Sequence, residues 1–193
     1  MKKIIIEDYN PSWKLQFEAL KACIERPLKD LFLSIEHVGS TSVEGLAAKP
    51  IIDIDIIIEK EDETLPQVIA KLAKMGYEYR GDLGVKNRHA FKRQSDSVPF
   101  CNLNQTWQNH HLYVCKKGIA SLQNHLLLRD YLRSHPKAVI EYGNLKKQLA
   151  AKYPYDIDSY IEGKTPLIVD ILQKQGFNRE EAEAIEEQNR KKK

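Results

Sequence analysis

Two aspartates, Asp53 and Asp55, interrupt an isoleucine-rich segment at residues 51–58. β-Branched residues between Pro50 and a charged run favour a strand, and strand residues alternate between the two faces of a sheet. Both carboxylates therefore point to the same side. Adjacent carboxylates repel each other unless a positive group neutralises them, and a divalent metal often does so. The pair is consistent with a divalent-metal site, and a solvated sheet face, or pairing with Lys or Arg, is the alternative.

A Gly-Ser turn precedes this strand. Gly39 and Ser40 follow a short predicted strand over residues 33–38, and Thr41 and Glu44 have the spacing of a capping box for a brief helix. Such a turn offers backbone amides and hydroxyls to a phosphate group. The sequence thus places a candidate phosphate site before the carboxylates, although a Gly-Ser pair alone fits a plain turn equally well.

Three cations are further candidates for phosphate binding, namely Lys49, Arg88 and Arg129. Ammonium and guanidinium groups both bind phosphate oxygens, and each of these residues fits a structural ion pair as an alternative. His37 directly precedes the Gly-Ser turn, and we expect it to orient the turn rather than to bind a ligand.

The predicted helices carry other polar residues. Tyr142 and Lys146 lie one helical turn apart and either line a pocket or pack against each other. His125 and His135 show no functional pattern.

Several other phosphate and hydrolase chemistries lack their motifs. The chain contains neither a GxxxxGK[ST] loop nor a GxSxG elbow. A phosphatase that forms an aspartyl phosphate would need Thr two residues after Asp55, where this chain has Ile57.

The hydrophobic pattern predicts an α+β fold with an α/β-type beginning and a helical C-terminal half. One domain is expected over residues 1–176, and a charged C-terminal helix and tail over residues 177–193. Strands are predicted at 3–8, 33–38, 51–58, 90–93 and 110–115, with antiparallel pairing within 77–114. Helices are predicted from about 11 to 27, from about 64 to 76, and at 119–134, 136–152 and 157–176.

The 193-residue chain is 42% hydrophobic and 30% charged, with a formal net charge of +3. This composition is typical of one soluble globular domain and gives no strong nucleic-acid signal. No apolar run approaches the roughly 20 residues of a membrane span, and the start lacks a signal-peptide core, so we expect a cytoplasmic protein. Cys23, Cys101 and Cys115 form no CxxC pair, so neither a disulfide framework nor a zinc knuckle is expected. The oligomeric state stays open.

The longest motif covers residues 37–54, HVGSTSVEGLAAKPIIDI. It resembles the signature of the GrpB family, a branch of the nucleotidyltransferase superfamily. Tyr9–Trp13, Gly84–Phe91, His110–Val114 and Leu128–Arg133 resemble other segments of that family. The resemblance extends from about residue 9 to residue 164.

The resemblance implies a mixed sheet flanked by helices and a metal-dependent transfer of a nucleoside monophosphate from a nucleoside triphosphate to an unknown acceptor. Asp53 and Asp55 would bind Mg²⁺ or Mn²⁺, while Gly39, Ser40 and Thr41 would contact phosphate. The superfamily takes a third carboxylate from a later strand, where this chain offers His110, His111 and Tyr113. His111 is therefore the candidate replacement. A non-catalytic module that binds a nucleotide or a coenzyme A precursor is the alternative.

Overall fold

The computed structural model describes residues 2–101 and 105–178, with positions 180, 183, 185 and 187. Most of the helix and tail predicted for 177–193 lies outside these residues. The helices are α1 (Ser12–Glu25), α2 (Glu61–Lys74), α3 (Ala120–Ser134), α4 (Pro136–Lys152) and α5 (Ile157–Lys174). The strands are β1 (Ser34–Val38), β2 (Ile52–Ile58), β3 (Tyr77–Tyr79), β4 (Arg88–Arg93) and β5 (His110–Lys116).

The strands form one mixed sheet in the order β1-β2-β5-β4-β3. β2 and β5 run parallel, and the other neighbouring pairs run antiparallel. The predicted α+β class and the predicted antiparallel pairing within 77–114 are both confirmed. The parallel register places Asp53 opposite His111 and Asp55 opposite Tyr113, so the candidate residues of both strands lie side by side on one sheet face.

The opposite face of β2 forms the main core. Its four alternating isoleucines, at positions 52, 54, 56 and 58, are completely buried. They belong to one hydrophobic cluster with Trp13 and Phe17 of α1 and with Val68 and Leu72 of α2. Burial of each such side chain contributes roughly 1.5–3 kcal/mol. The predicted alternation is confirmed, and it separates the core from the carboxylates.

The predicted strand over residues 3–8 does not form. Glu7 makes an isolated bridge with Ala48, through two backbone hydrogen bonds of 2.8 and 2.9 Å. Ile4 instead packs with Ala150 and Tyr160. This apolar segment therefore packs against α4 and α5 and does not pair as a strand of the sheet.

Two predicted helix starts were wrong. α2 begins at Glu61 rather than near Thr64, because three acidic residues in its first turn suit the positive end of the helix dipole. The brief helix after the Gly-Ser turn is only a 3₁₀ turn, Ser40–Ser42. Its expected capping residue, Thr41, donates its hydroxyl hydrogen bond to the carbonyl oxygen of Ile51, at 3.1 Å.

Cys23 and Cys101 form a disulfide, so the expectation of no disulfide was wrong. Their Cα atoms lie 6.0 Å apart, within the usual disulfide range. The two residues are separated by 78 positions, and no local spacing could reveal a pair that only the fold brings together. Cys115 is a free thiol, and burial raises its pKa.

No helix in the described part of the chain combines the length and apolar character that crossing a membrane requires.

Candidate functional site

A cavity of about 370 Å³ lies over the sheet face that carries the carboxylates. It is bounded by the Gly-Ser turn, by β2 and β5, and by the helices α3, α4 and α5. Six of the nine residues predicted to bind phosphate or metal or to act in catalysis line it, namely Gly39, Ser40, Lys49, Asp53, His111 and Arg129, whereas Asp55, Thr41 and Arg88 do not. Tyr142 and Lys146, expected either to line a pocket or to pack against each other, line it as well. The fold therefore brings residues from distant parts of the chain to one place.

Gly39 lies directly against the Asp53 carboxylate. Its φ of +68° belongs to the left-handed region, and a Cβ atom built on it would overlap Oδ2 of Asp53. The hydroxyl of Ser42 donates a 2.6 Å hydrogen bond to the carbonyl oxygen of Gly39 and holds the turn closed. Only glycine allows the backbone of this turn to approach the carboxylate so closely.

Asp53 and His111 form a pair across the parallel strands. Oδ1 of Asp53 lies 2.8 Å from Nδ1 of His111, and the two side chains are 30% and 49% exposed. An ionised carboxylate only accepts hydrogen bonds, so this contact assigns the proton to Nδ1. In that tautomer Nε2 is left as a proton acceptor.

Asp55 lies deeper than Asp53. Its side chain is completely buried, and Oδ2 lies 2.7 Å from Nδ1 of His125 on α3. Oδ1 has no hydrogen-bond partner among the described residues. A buried acceptor without a partner costs about 1–3 kcal/mol. A cation at the carboxylate pair would remove that cost.

The carboxylate pair fits a metal that is shared with a substrate. The described residues contain no group of three or more His, Cys, Asp or Glu side chains arranged to hold a metal. Mg²⁺, however, usually takes one or two carboxylates and completes its shell with water and substrate phosphates. The free Oδ1 of Asp55 and the partly exposed carboxylate of Asp53 suit this mode. The predicted Mg²⁺ or Mn²⁺ stays a prediction.

Lys146 reaches the Gly-Ser turn from α4. Its Nζ atom donates a 2.9 Å hydrogen bond to Oγ of Ser40 and lies 4.5 Å from the ring centre of Tyr142. The side chain is 1% exposed. Burial, with repulsion from Lys164 and Lys49, lowers its pKa to about 6.

Lys49 and Lys164 complete a group of three amines with Lys146. Their Nζ atoms lie 5.6 and 4.7 Å from the ring centre of Tyr160. Burial and repulsion from Lys49 lower the pKa of Lys164 to about 8, and burial lowers that of Lys49. None of the three amines forms an ion pair among the described residues. Three unpaired amines in one cavity favour a ligand with several negative charges.

The three helices supply polar residues in a common pattern that single-residue reasoning missed. On each helix, two cavity-lining residues are four positions apart, a spacing that places both on one helix face. That spacing is the sequence signal for His125, Tyr160 and Lys164. The pairs are His125 and Arg129 on α3, Tyr142 and Lys146 on α4, and Tyr160 and Lys164 on α5.

His37 and Thr41 brace the turn from outside the cavity. Because Thr41 uses its hydroxyl proton for Ile51, the 3.0 Å contact with His37 assigns the donating hydrogen to Nε2 of the histidine. His37 also stacks on Phe17 with ring centres 4.5 Å apart, and burial lowers its pKa to about 4. These contacts support the expected orienting role of His37. They point Thr41 away from the cavity, so its phosphate contact has no support in this geometry.

The two predicted arginines differ in position. Arg129 lines the cavity and donates to Glu36 at 2.8 Å and to Asp130 at 2.7 Å, so its guanidinium already has two carboxylate partners. Arg88 does not line the cavity, and its guanidinium lies 4.8 Å from the ring centre of Tyr113. The phosphate role predicted for Arg88 stays a prediction without a contact to support it.

The same architecture occurs in solved nucleotidyltransferase structures. The chain aligns with Cid1 in complex with the UTP analogue UMPNPP at a TM-score of 0.52 and 17% identity, over 76% of this chain and 43% of Cid1. This identity shows the fold alone, and the fold is of the nucleotidyltransferase type.

The chain belongs to the GrpB family. The family model described as "GrpB protein" matches residues 3–174. The conserved protein GrpB from Enterococcus faecalis has a crystal structure that aligns at a TM-score of 0.73 and 33% identity, over 89% of this chain and 99% of that chain. The UPF0157 protein YqkA of Bacillus subtilis (strain 168) is 35% identical over 163 residues, which are 84% of this chain and 44% of YqkA. The chain thus spans less than half the length of that relative.

Proposed function

We propose that this protein is a divalent-metal-dependent nucleotidyltransferase that moves a nucleoside monophosphate from a nucleoside triphosphate to an acceptor. One observation carries the proposal: the Gly39–Ser40 turn, the Asp53 carboxylate and a group of amines meet at one cavity, and Asp55 lies buried next to Asp53 on the same strand face with one carboxylate oxygen unpartnered among the described residues. The fold type and the family are consistent with this chemistry.

The triphosphate is recognised by the turn and the amines. The turn presents its backbone amides and the Ser40 hydroxyl, and Lys49, Lys146 and Lys164 supply positive charge. The lowered pKa values of Lys146 and Lys164 mean that part of this charge is absent without ligand. A bound polyanion raises these pKa values again, so binding takes up protons.

The metal would be held by Asp53 and Asp55. When bound, it supplies positive charge to the phosphates and makes the acceptor hydroxyl more acidic. His111 supplies a proton acceptor, because its Nδ1–H is committed to Asp53 and its Nε2 is free. β5 has no acidic residue, so His111 serves where other nucleotidyltransferases use a third carboxylate.

The proposal is tested by thermal unfolding and pyrophosphate release with ATP, CTP, GTP and UTP, each with and without Mg²⁺ or Mn²⁺. At 100 times Kd a ligand adds about 2.7 kcal/mol, which raises the Tm by about 5–10 °C. We expect a metal-dependent shift and pyrophosphate release in the wild type. Both are lost in Asp53→Asn/Asp55→Asn and kept in Asp62→Asn, an exposed control on α2. Unchanged pyrophosphate release in the double variant would contradict the proposal.

The missing acid in β5 favours a second candidate, a module that binds a nucleotide or a coenzyme A precursor without catalysis. In that case a nucleotide or a precursor raises the Tm, but no triphosphate yields pyrophosphate with either metal. The same experiment therefore separates the two candidates.

A further inference from the structure

We infer that the acceptor of the proposed transfer binds in a second groove beside the cavity, and that this acceptor is an anion with an apolar or aromatic body. The inference rests on the proposed function. It names a substrate class for the same site, from a neighbouring surface that shares Lys49 and Ile51 with the nucleotide cavity.

The groove, about 810 Å³ in volume, lies where the parallel strands β2 and β5 begin. Lys49 and Ile51 line both the groove and the cavity, so the two spaces adjoin each other. Asp53 lies two residues after Ile51. A strand rises about 3.3 Å per residue, so the Asp53–His111 pair lies about 7 Å along the strands from the groove floor. A small molecule in the groove can present a hydroxyl to that pair.

The charge of the groove selects an anion. Lys2, Lys3 and Lys49 line it, and no Asp or Glu is among its described lining residues. Gln108 and Asn109 add amide groups at the start of β5. The three ammonium groups therefore attract a phosphate, sulfate or carboxylate group, without competition from an acidic side chain in the groove.

Three exposed apolar side chains contribute to the walls of the groove. Ile5, Tyr155 and Ile157 are 56%, 57% and 38% exposed and line the same groove. The backbone amide of Ile4 donates a 2.8 Å hydrogen bond to the carbonyl oxygen of Pro154, which ties the N-terminal segment to the loop before α5. The two walls are thus fixed to each other, and adjacent exposed apolar side chains mark a binding surface.

A pair of fluorescent probes tests the ligand class. 8-Anilino-1-naphthalenesulfonate carries a sulfonate on an aromatic body, and N-phenyl-1-naphthylamine is its uncharged counterpart. We expect the wild type to bind the anionic probe more tightly. Lys2→Glu/Lys3→Glu should weaken the anionic probe about tenfold, by replacing attraction with repulsion, and leave the neutral probe unchanged. Lys86→Glu/Lys92→Glu makes the same charge change at exposed positions outside the groove and should change neither.

Further measurements keep the groove separate from the nucleotide site. Tyr155→Ser should weaken both probes, and a saturating triphosphate should leave the anionic probe bound. The inference is overturned if the wild type shows no preference for the anionic probe, if both double variants weaken it equally, or if the triphosphate displaces it. The nucleotide-induced Tm shift should persist in Lys2→Glu/Lys3→Glu. A lost probe preference with this shift intact rejects the groove alone, whereas absence of the shift in the wild type rejects the proposed function.

Discussion

Asp53 and Asp55 share a strand face but not an environment. Asp53 is partly exposed at the cavity and pairs with His111, whereas Asp55 is completely buried and keeps one oxygen without a partner. That both aspartates lie on the same face of the strand was predictable from the alternating sequence. The difference in depth was not, because it depends on α3, whose His125 covers Asp55.

Gly39 gives a residue-scale prediction about the turn. Gly39→Ala places an alanine at a positive φ, and its Cβ atom displaces the Asp53 carboxylate. Gly81 has a similar φ of +72°, but a Cβ atom at this position meets no atom within 4 Å. We expect a loss in the free energy of unfolding of about 1 kcal/mol for Gly81→Ala and about 2–3 kcal/mol for Gly39→Ala. Urea unfolding measures both. Only Gly39→Ala should lose the nucleotide-induced Tm shift, and equal losses with an intact shift would contradict the contact.

Lys146 gives a prediction about pH. Its folded pKa of about 6 lies below the ordinary value of 10.5, so between these values the unfolded chain binds more protons than the folded one. The free energy of unfolding of the ligand-free protein therefore rises with pH from 6 upward. Lys146→Met should flatten this slope, as measured by urea unfolding at pH 6–9.

Lys92→Met removes an exposed amine and is the matched control. It should leave the slope as in the wild type. A slope that Lys146→Met does not reduce would show that the Lys146 amine is charged in the folded protein.

At the scale of elements, predictions held where local pattern decides and failed where packing decides. Helical spacing predicted α3, α4 and α5 closely, and the β-branched run predicted β2. The capping box at Thr41 was wrong because Thr41 lies inside the 3₁₀ turn Ser40–Ser42, which has no side-chain cap. Of the polar pairs four residues apart that line the cavity, only Tyr142 and Lys146 on α4 were recognised in the sequence, and the pairs on α3 and α5 were not. Which strand they cover depends on contacts between distant segments.

Two glycines inside helices test the packing of α4 and α5. A Cβ at Gly143 would make an ordinary 3.6 Å contact with Ala47, whereas a Cβ at Gly163 would approach Cδ2 of Leu149 to 2.5 Å. Gly143→Ala should therefore raise the free energy of unfolding by about 0.5–1 kcal/mol, the helix-propensity gain. Gly163→Ala should gain less, because Leu149 must move. Thermal unfolding checks both, and a larger gain at Gly163 would contradict this packing.

At the scale of the whole molecule, the sheet separates the main hydrophobic core on one face from the polar cavity on the other. The isoleucine face of β2 packs on α1 and α2, and the carboxylate face meets α3, α4 and α5 across the cavity. The disulfide between Cys23 and Cys101 packs against the main hydrophobic core and links the last turns of α1 to the segment before β5. No pattern in the chain predicted this link, because it joins residues that become neighbours only after folding.

The disulfide closes a long loop, so it should matter for stability. Cys23→Ser should lower the free energy of unfolding by about 2–4 kcal/mol in oxidising buffer and have little effect when the wild type is reduced. Thiol titration of the denatured, unreduced wild type should find one free thiol, Cys115. Three free thiols, or a wild type whose free energy of unfolding is the same with and without reductant, would show that the disulfide does not form.

The division of β2 into two faces also affects how such a chain changes over generations. The even-numbered residues from 52 to 58 belong to the core, whereas positions 53 and 55 would hold the metal of the proposed function. Exchange of the two aspartates leaves this isoleucine core unchanged. Under the proposed function, the presence of both aspartates is therefore what distinguishes a family member able to bind the metal, whereas overall similarity reports only on the fold.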